Sequence, residues 1–474
     1  MVADMQDPPG MGRRERTRGA FLAATAFVIL LGAGDAVAED QCPPKMFRWE
    51  EDCSRLREAT GAPGAIDRLR YIPLSDSGSV WLTLGAEYRF RTDYIDKLDW
   101  GLKRGDVEYT AYGQRAFAHA DLRTAEGFRV FLQLSAATED GREPFYYPFD
   151  RSRPDIAQAF IDVPVFGTSV LRIGRQELDS GGNRLISVRE AGNLRLAFDM
   201  AHFESQIAGF DAVAFYGRPV LNESGAFDDD SNHAERFWGG WIQRRWGGEL
   251  APLVNVFYFG RDRDRAVYQQ GVASDERRTI GMRLSGSDSS WDYALQGAYQ
   301  YGSFGTADIS AEGFAGDVGW HPALPGQPRI GASFGYASGD ANPKDRTLGT
   351  FDVLYPNLGY FTDAPVYYPG NTVDLQPNVT VHLLPALQLR GGADVIYRLS
   401  KHDAIYTPPG VPLVPGTGAG PHYATTLSYL RTDWFISPRA SATLSYVYGD
   451  AGSLIRSSGG RPFNYLGFWL DLRL

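Results

Sequence analysis

The chain has 474 residues, a formal net charge of −10 and 43% hydrophobic residues. This acidic balance, without a dense basic stripe, argues against nucleic-acid binding. A mean hydropathy of −0.29 is typical of a soluble protein, but hydropathy windows detect helices and overlook strands in which apolar and polar residues alternate. The length would suit about three domains, but no linker or composition shift divides the chain after residue 80.

The N-terminus carries the features of an export signal. Four arginines between residues 13 and 18 precede an apolar run from Ala20 to Leu31, and Ala36-Val37-Ala38 supplies a small-residue cleavage site. This order predicts a secretory signal peptide over residues 1–38. No second apolar run is long enough for a membrane helix, so the mature chain is expected to be exported without an inner-membrane span.

Cys42 and Cys53 are the only cysteines in the sequence. Because a pair of cysteines in an exported protein normally oxidises, we expect one disulfide between them. It would close part of a periplasmic N-terminal segment over residues 39–79. No histidine lies near the pair in the sequence, so a metal site is not expected there.

The stretch from Val80 to Arg91 alternates between two kinds of side chain. Its even-numbered residues are apolar or aromatic up to Phe90, whereas its odd-numbered residues include Glu87 and Arg89. Alternate side chains of a strand point to opposite faces. The twelve residues of this stretch are close to the ~9–11 that a tilted strand needs to cross a bilayer. The pattern therefore predicts a strand between lipid and a water-filled lumen.

The same alternation returns along the rest of the chain. Clear examples are residues 128–136, 291–301, 387–399 and 468–474. We count about eighteen such segments, with soft boundaries. A wall of alternating strands that repeats in this way predicts a sheet that closes on itself, because lipid cannot satisfy the open edge of a sheet.

The connections between these segments alternate between long and short. The long ones are residues 92–106, 139–154, 228–234, 339–370 and 401–421, and the short ones are 124–127, 164–168, 247–249, 384–386 and 436–438. Long extracellular loops and short periplasmic turns are typical of outer-membrane barrels. Residues 80–474 are therefore predicted to form an all-β, transmembrane antiparallel β-barrel of about 18 strands. Such a barrel would lie in the cell outer membrane, in contact with lipid and lipopolysaccharide.

Two sequence patterns point to chemistry that the context does not favour. Gly331-Ala332-Ser333-Phe334-Gly335 fits a nucleophile elbow, but it lies inside an alternating strand and not at a strand-to-helix turn. The acidic stretches 228–230 and 340–345 could hold Ca²⁺ in extracellular loops, although solvated acidic loops are commoner. No other cofactor, no metal centre and no catalytic residue are expected.

The parity of each predicted strand indicates which charges face the lumen. The inward arginines are Arg89, Arg91, Arg115, Arg123, Arg129, Arg172, Arg184, Arg195, Arg283, Arg390, Arg398 and Arg473. The inward acids are Glu87, Asp121, Asp162, Asp199, Asp394 and Asp471, and His119 lies on the same face. Arginine outnumbers acid in this set, and arginine rings favour anions in a pore. The alternative is that about half of these arginines only brace the wall through ion pairs. A bulge near Gly174 would exchange Arg172 and Arg175.

Three groups of residues resemble the bacterial alginate-export outer-membrane proteins. They are Leu69 to Leu74; Leu171 to Leu178 with Asn183 to Ile186, Asn193 to Arg195 and Phe198-Asp199; and Ala337 to Asp345 with Thr350 to Asp352 and Tyr355-Pro356. The resemblance implies a monomeric eighteen-stranded barrel whose arginine-rich constriction passes an acidic polysaccharide. By motif match it also implies that Arg172, Arg175, Arg184 and Arg195 line the pore.

These observations predict a channel for the passive transport of anionic solutes, with alginate or another acidic polysaccharide, or its oligomers, as the expected cargo. One alternative is a porin for the uptake of small organic anions or aromatics. Another is an outer-membrane hydrolase, which would need a Ser/His/Asp constellation that the sequence does not suggest. A purely structural or adhesive barrel would instead have a plugged lumen.

Overall fold

The computed structural model describes residues 42–58, 64–103, 105, 107–144, 146–182, 184–248 and 250–474. The predicted signal peptide, residues 1–38, lies outside them. Within the described residues, eighteen strands form one closed antiparallel barrel, as predicted. In chain order they are β1 Val80–Ile95, β2 Tyr109–Thr124, β3 Arg129–Asp140, β4 Ser152–Pro164, β5 Val170–Gln176, β6 Phe198–Ile207, β7 Phe210–Leu221, β8 Glu235–Arg245, β9 Leu253–Tyr268, β10 Gly271–Ser287, β11 Trp291–Phe304, β12 Ala307–Trp320, β13 Arg329–Ala337, β14 Thr372–Leu384, β15 Leu387–Arg398, β16 Tyr423–Ser437, β17 Ala440–Gly449 and β18 Phe463–Arg473.

The barrel closes between its first and last strands. β1 pairs with β18 from Glu87 opposite Arg473 to Ile95 opposite Tyr465. Below this contact, the short strand Ile72–Pro73 pairs with the first residues of β1 and covers the edge that β18 leaves free. The two partners together pair with residues 81–82 and 87–95 of this edge, and pairing of the backbone is what a membrane wall requires.

The first strand is four residues longer than the sequence suggested. Thr92 and Asp93 resemble the beginning of a loop, but Asp93 faces the barrel interior and accepts hydrogen bonds from Arg91 and Tyr465. A polar residue can therefore continue the strand because the inner face of this wall is polar.

The two faces of the wall differ as the alternation predicted. Leu132, Leu134, Ile280, Met282 and Phe314 all lie on the outer face with more than a third of their surface exposed. The inner face carries charged and polar side chains, most of which are buried by loops that fold into the barrel. An apolar outer belt around a polar interior is the arrangement that a lipid bilayer requires.

The connections also alternate as predicted, with two exceptions. The loops at one end include residues 177–197, 338–371 and 399–422, whereas turns at the other end are as short as residues 208–209 and 385–386. At the long-loop end, residues 269–270 and 305–306 form turns of only two residues. The alternation is therefore a reliable guide to sidedness but not to the length of every loop.

Two long loops enter the barrel and pack against each other. Residues 177–197 and 338–371 meet in an isolated parallel bridge between Ile186 and Tyr355. Both residues belong to a buried apolar cluster that also includes Phe237 and Phe259 of the inner wall. Burial of these apolar surfaces stabilises the folded loops inside the lumen.

The N-terminal segment lies against the inner face of the barrel at the end with the short turns. It contains the 3-10 helices Arg48–Glu50 and Ser54–Glu58 and the α-helix Ala65–Arg70. A disulfide joins Cys42 to Cys53. Among the described residues, no helix combines the length and apolar character needed to cross a membrane.

The pentapeptide 331–335 lies wholly within β13. Ser333 faces the interior and donates a hydrogen bond to Asp317 on β12. Since the strand continues to Ala337, the sharp turn that exposes an elbow nucleophile is not formed here.

Candidate channel interior

The register of β1 and β2 places most of the predicted inward charges on the inner wall. Glu87, Arg89 and Arg91 share one face of β1, and Arg115 lies opposite Arg89 on β2. Arg129 follows on β3, in the same alternation. Strand parity therefore predicted correctly that these side chains lie on the inner face of the wall.

Most of these arginines form an ion pair with a carboxylate of the protein itself. Glu190, on the loop 177–197, forms ion pairs with Arg89, Arg115 and Arg195. Burial alone would raise the pKa of the Glu190 carboxyl, but Arg115, Arg195 and Arg89 outweigh it and hold the pKa well below its usual range. This carboxylate is therefore charged, and it fixes the loop to the wall.

A second set of ion pairs lies nearer the end with the short turns. Arg129 Nε is 2.7 Å from Asp121 Oδ1, and Arg172 Nε is 2.6 Å from Asp162 Oδ1. Arg129 also lies 3.6 Å from Asp162. Arginine and carboxylate thus alternate across neighbouring strands, which is the bracing arrangement that the sequence left as an alternative.

The placement of Arg175 and Asp199 differs from the prediction. They lie opposite each other on β5 and β6, on the face opposite that of Arg172. Arg175 Nε is 2.9 Å from Asp199 Oδ1, and Ser231 donates to the same carboxylate from a covering loop. Both residues are therefore excluded from the lumen, because alternation along β5 turns Arg175 to the outer face.

Arg184 and Arg195 face the interior. The reason given from strand parity is wrong, because neither residue lies on a strand. Both belong to the loop 177–197, which begins where the short strand β5 ends. Arg195 is buried in the Glu190 cluster. The guanidinium of Arg184 lies over the ring of Tyr360, 5.4 Å from its centroid. The alternation of a loop sequence carries no directional information, since no sheet fixes its side chains.

The opposite side of the interior contains arginines of a different kind. Arg184, Arg283 and Arg390 are half-buried, and none of them forms an ion pair within the part of the chain that the structure describes. Two aspartates, Asp374 and Asp394, face the same space. On this side, formed by β10–β16, an anion in transit can therefore contact guanidinium groups that have no carboxylate partner among the described residues.

Arg398 does not act as an open lumen charge. Its side chain is 2% exposed and donates to the carbonyl oxygens of Ala419 and Pro421 in the following loop. The arginine excess that the sequence suggested is also reduced, because inward carboxylates such as Asp121 and Asp275 pair with most of the inward arginines. Most inward arginines are therefore braced by a carboxylate, and only a few keep a guanidinium without an ion-pair partner among the described residues.

Sequence reasoning missed the residues that hold the loop 338–371 inside the barrel. Asp352 lies 2.7 Å from Arg261 and 2.9 Å from Arg263, and it accepts a hydrogen bond of 2.6 Å from Tyr268. The only signal was the Thr350 to Asp352 motif of the resemblance, which gave no role to the carboxylate. A loop carboxylate bound to wall arginines becomes visible only when the loop is seen folded inward.

One of the acidic loops brings carboxylates together. Asp155, Asp228 and Asp229 offer oxygens that lie within 4.8 Å of one another. Asp155 also accepts hydrogen bonds from the backbone amides of Asp228 and Asp229, which satisfies one of its oxygens. Calcium binding at this loop stays a prediction.

A closed eighteen-stranded barrel with an apolar exterior and a polar interior defines the chain as an outer-membrane β-barrel of the channel-forming class. The alginate export family matches residues 80–468, and the chain belongs to this family. The resemblance drawn from the sequence motifs is therefore confirmed.

Solved structures show the same fold. Acinetobacter baumannii OccAB1 is 13% identical with a TM-score of 0.56, and the alignment covers 86% of this chain and 99% of that one. Pseudomonas aeruginosa OccK5 (OpdH) is 12% identical with a TM-score of 0.54, covering 82% and 98%. Pseudomonas aeruginosa OccK2 (OpdF), solved in complex with glucuronate, is 14% identical with a TM-score of 0.53, covering 82% and 98%. A comparison with curated protein sequences gave no match.

Proposed function

We propose that this outer-membrane channel passes anionic solutes by diffusion, and that its cargo is an acidic polysaccharide or its oligomers. The observation that carries the proposal is the set of three half-buried arginines, Arg184, Arg283 and Arg390, without an ion-pair partner among the described residues. A guanidinium that has no internal carboxylate remains available to a carboxylate in transit. Membership of the alginate export family supports an acidic saccharide as the cargo.

Aromatic rings stand beside two of these arginines. Arg184 lies over Tyr360, and Arg390 acts electrostatically on Tyr429 of the neighbouring strand. A sugar ring offers both a carboxylate for an arginine and a C–H face for an aromatic ring. This combination suits a uronate unit better than it suits a simple inorganic anion.

The selectivity of such a channel should be moderate. Asp374 and Asp394 face the same space as the free arginines and oppose part of their field. We therefore expect the channel to prefer anions over cations several-fold, while cations still pass. The channel is proposed to act as a monomer surrounded by lipid and lipopolysaccharide, and without catalysing a reaction.

The test is the reversal potential of the purified protein in a planar bilayer under a KCl gradient, with oligouronate then added as a blocker. Arg390→Glu should move the reversal potential toward cation selectivity. The matched control is Arg456→Glu, which makes the same change at a 60% exposed side chain in the helix Ser453–Ser457, outside the strands of the barrel. A cation-selective wild-type channel would contradict the proposal.

A second candidate is the uptake of small organic anions. The observation that favours it is the contact between the loops 177–197 and 338–371, which narrows the lumen where Ile186 meets Tyr355. Glucuronate serves as the monomeric probe and oligouronate as the polymeric one. Flux of glucuronate without block or passage of oligouronate would favour the small-anion porin over the polysaccharide channel.

A further inference from the structure

The segment 42–58 is a compact unit that precedes the family region, which begins at residue 80. The disulfide between Cys42 and Cys53 closes it into a ring. Within the unit, Arg48 lies 3.1 Å from Glu51, and Arg70 of the following helix lies 2.8 Å from the same carboxylate. A short stretch with this degree of internal bonding can act as one body.

This unit fills part of the lumen at the end with the short turns. Arg48 is 1% exposed and lies over Gly85 of β1, where a Cβ atom would come 2.8 Å from its guanidinium. The same guanidinium donates to the carbonyl oxygen of Leu474. The segment is therefore inserted beside the β1–β18 seam.

The wall holds the unit with the arginines that face the lumen there. Arg129 donates to the carbonyl oxygen of Trp49 at 2.8 Å, and Arg123 donates to the carbonyl oxygen of Glu51. The guanidinium of Arg172 lies over the ring of Trp49, 5.2 Å from its centroid. Arg123 also lies 3.8 Å from the carboxylate of Asp52. The three inward arginines thus hold the segment mainly through carbonyl groups and one aromatic ring.

Trp49 also connects the unit to the loop that enters from the other end. Its Nε1 donates to Glu177 at 3.3 Å, and Glu177 lies 3.6 Å from Arg195 of the Glu190 cluster. The N-terminal unit and the loop 177–197 therefore meet inside the barrel, and together they obstruct the side of the lumen formed by β1–β5.

We infer that residues 42–58 form a displaceable plug at the periplasmic mouth of the channel. The plug contacts Arg123, Arg129 and Arg172 through two backbone carbonyls, the ring of Trp49 and the carboxylate of Asp52. Arg123 and Arg129 keep the carboxylate of Asp121, and Arg172 keeps that of Asp162, when the plug leaves. Departure of the plug therefore leaves no unpaired charge on this part of the wall. The inference extends the proposed function to gating, and the plugging itself does not depend on which solute passes.

The first test compares the full mature chain with a variant that lacks residues 42–58, by single-channel recording in planar bilayers. Removal of the plug should raise the KCl conductance at least twofold and abolish transitions between a smaller and a larger open state. A deletion variant that inserts and conducts like the full chain would overturn the inference.

The second test uses the full chain, so that it decides the matter if the deletion variant does not insert. Trp49→Ala removes the ring that contacts Arg172 and the donor to Glu177, and it should increase the time spent in the larger open state. Trp246→Ala is the matched control, since Trp246 is 48% exposed on the turn after β8. If Trp49→Ala records like the wild type, as the Trp246→Ala control should, the segment is a fixed part of the wall and the plug is refuted.

The plug and the proposed function can fail separately. A conductance that rises on removal of the plug, in a channel without anion preference, would support the plug and contradict the anionic cargo. An anion-selective channel whose conductance is indifferent to residues 42–58 and to Trp49 would do the reverse.

Discussion

The two sides of the barrel interior use arginine in different ways. On the side of β1–β5, Arg115 and Arg195 have side chains that are at most 2% exposed and are bound to carboxylates. On the side of β10–β16, Arg283 and Arg390 are half-buried and lack an ion-pair partner within the described residues. The residue type and its inward direction are the same on both sides.

This comparison shows that an inward arginine is not by itself a pore residue. The decisive factor is whether a loop or a neighbouring strand supplies a carboxylate to the same guanidinium. Where one is supplied, the pair braces the wall and its charge is neutralised. Where none is supplied, the field of the arginine reaches the lumen.

The largest effect is expected from Glu190→Gln, which removes the carboxylate shared by Arg89, Arg115 and Arg195. Breaking a buried ion pair from one side leaves uncompensated charge and costs roughly 3–5 kcal/mol. We expect a matching fall in the free energy of unfolding, measured by denaturant titration in lipid vesicles. Glu223→Gln, at an exposed loop position, is the control. A change below about 1 kcal/mol would mean that the two sides of the lumen do not differ as described.

Asp352→Asn should have the next largest effect, because it releases the loop 338–371 from Arg261 and Arg263. We expect larger current fluctuations in bilayer recordings and a loss of roughly 2–3 kcal/mol in unfolding free energy, the range for hydrogen bonds to charged groups. Asp345→Asn makes the same change at an exposed position of this loop and should leave the recordings unaltered.

The same carboxylate gives a pH prediction. Burial alone would raise the pKa of Asp352, but Arg261, Arg263 and Arg277 outweigh it and hold the pKa well below its usual range. Its contribution to stability is present above the unfolded pKa of about 3.9 and is lost only as the pH falls through the lower folded pKa. Current fluctuations of the wild type should therefore be unchanged between pH 7 and pH 5. Loop release within this range would show that Asp352 is not the group that holds it.

A paired substitution sharpens the comparison between the two sides. Arg129→Gln removes a brace and should lower the unfolding free energy by roughly 2 kcal/mol, with little change in ion selectivity. Arg390→Gln should shift the reversal potential toward cations and leave the unfolding free energy within about 0.5 kcal/mol of the wild type. The distinction between the two sides fails if the two variants exchange these effects.

The smallest effect is expected from Arg175→Ala. Its ion pair with Asp199 lies on the outer face under a covering loop and is partly exposed, so its loss should cost about 1 kcal/mol or less. The reversal potential should not change, because the residue does not face the lumen. A selectivity shift equal to that of Arg390→Gln would show that Arg175 does face the pore.

The sequence predicted the barrel well because alternation is a local property that is repeated in every strand. It placed Glu87, Arg89, Arg91, Arg115 and Arg129 on the inner face, since sheet geometry fixes parity. It failed at Arg175, which the family motif placed in the pore, because the face of a residue beside Gly174 is fixed only by the pairing of β4, β5 and β6. Pairing between neighbouring strands settled that question.

The sequence could not predict which arginines are free. The partners of Arg195 and Arg261 are Glu190 and Asp352, which lie in loops whose inward folding leaves no periodic signal. The position of Trp49 against Arg172 is likewise a contact between segments more than a hundred residues apart. Such contacts arise from packing within the closed barrel and not from local preference.

The sequence by itself determined the strand alternation, the even strand number, the sidedness of the loops and the family. These features follow from the period of a strand and from the need of a membrane wall to satisfy its backbone. Only the tertiary structure decided how the interior is divided between braced and free arginines, and where the N-terminal segment lies. Those outcomes depend on which distant charges meet inside the barrel, because the strength of each charge in the lumen is set by the partner that folding brings to it.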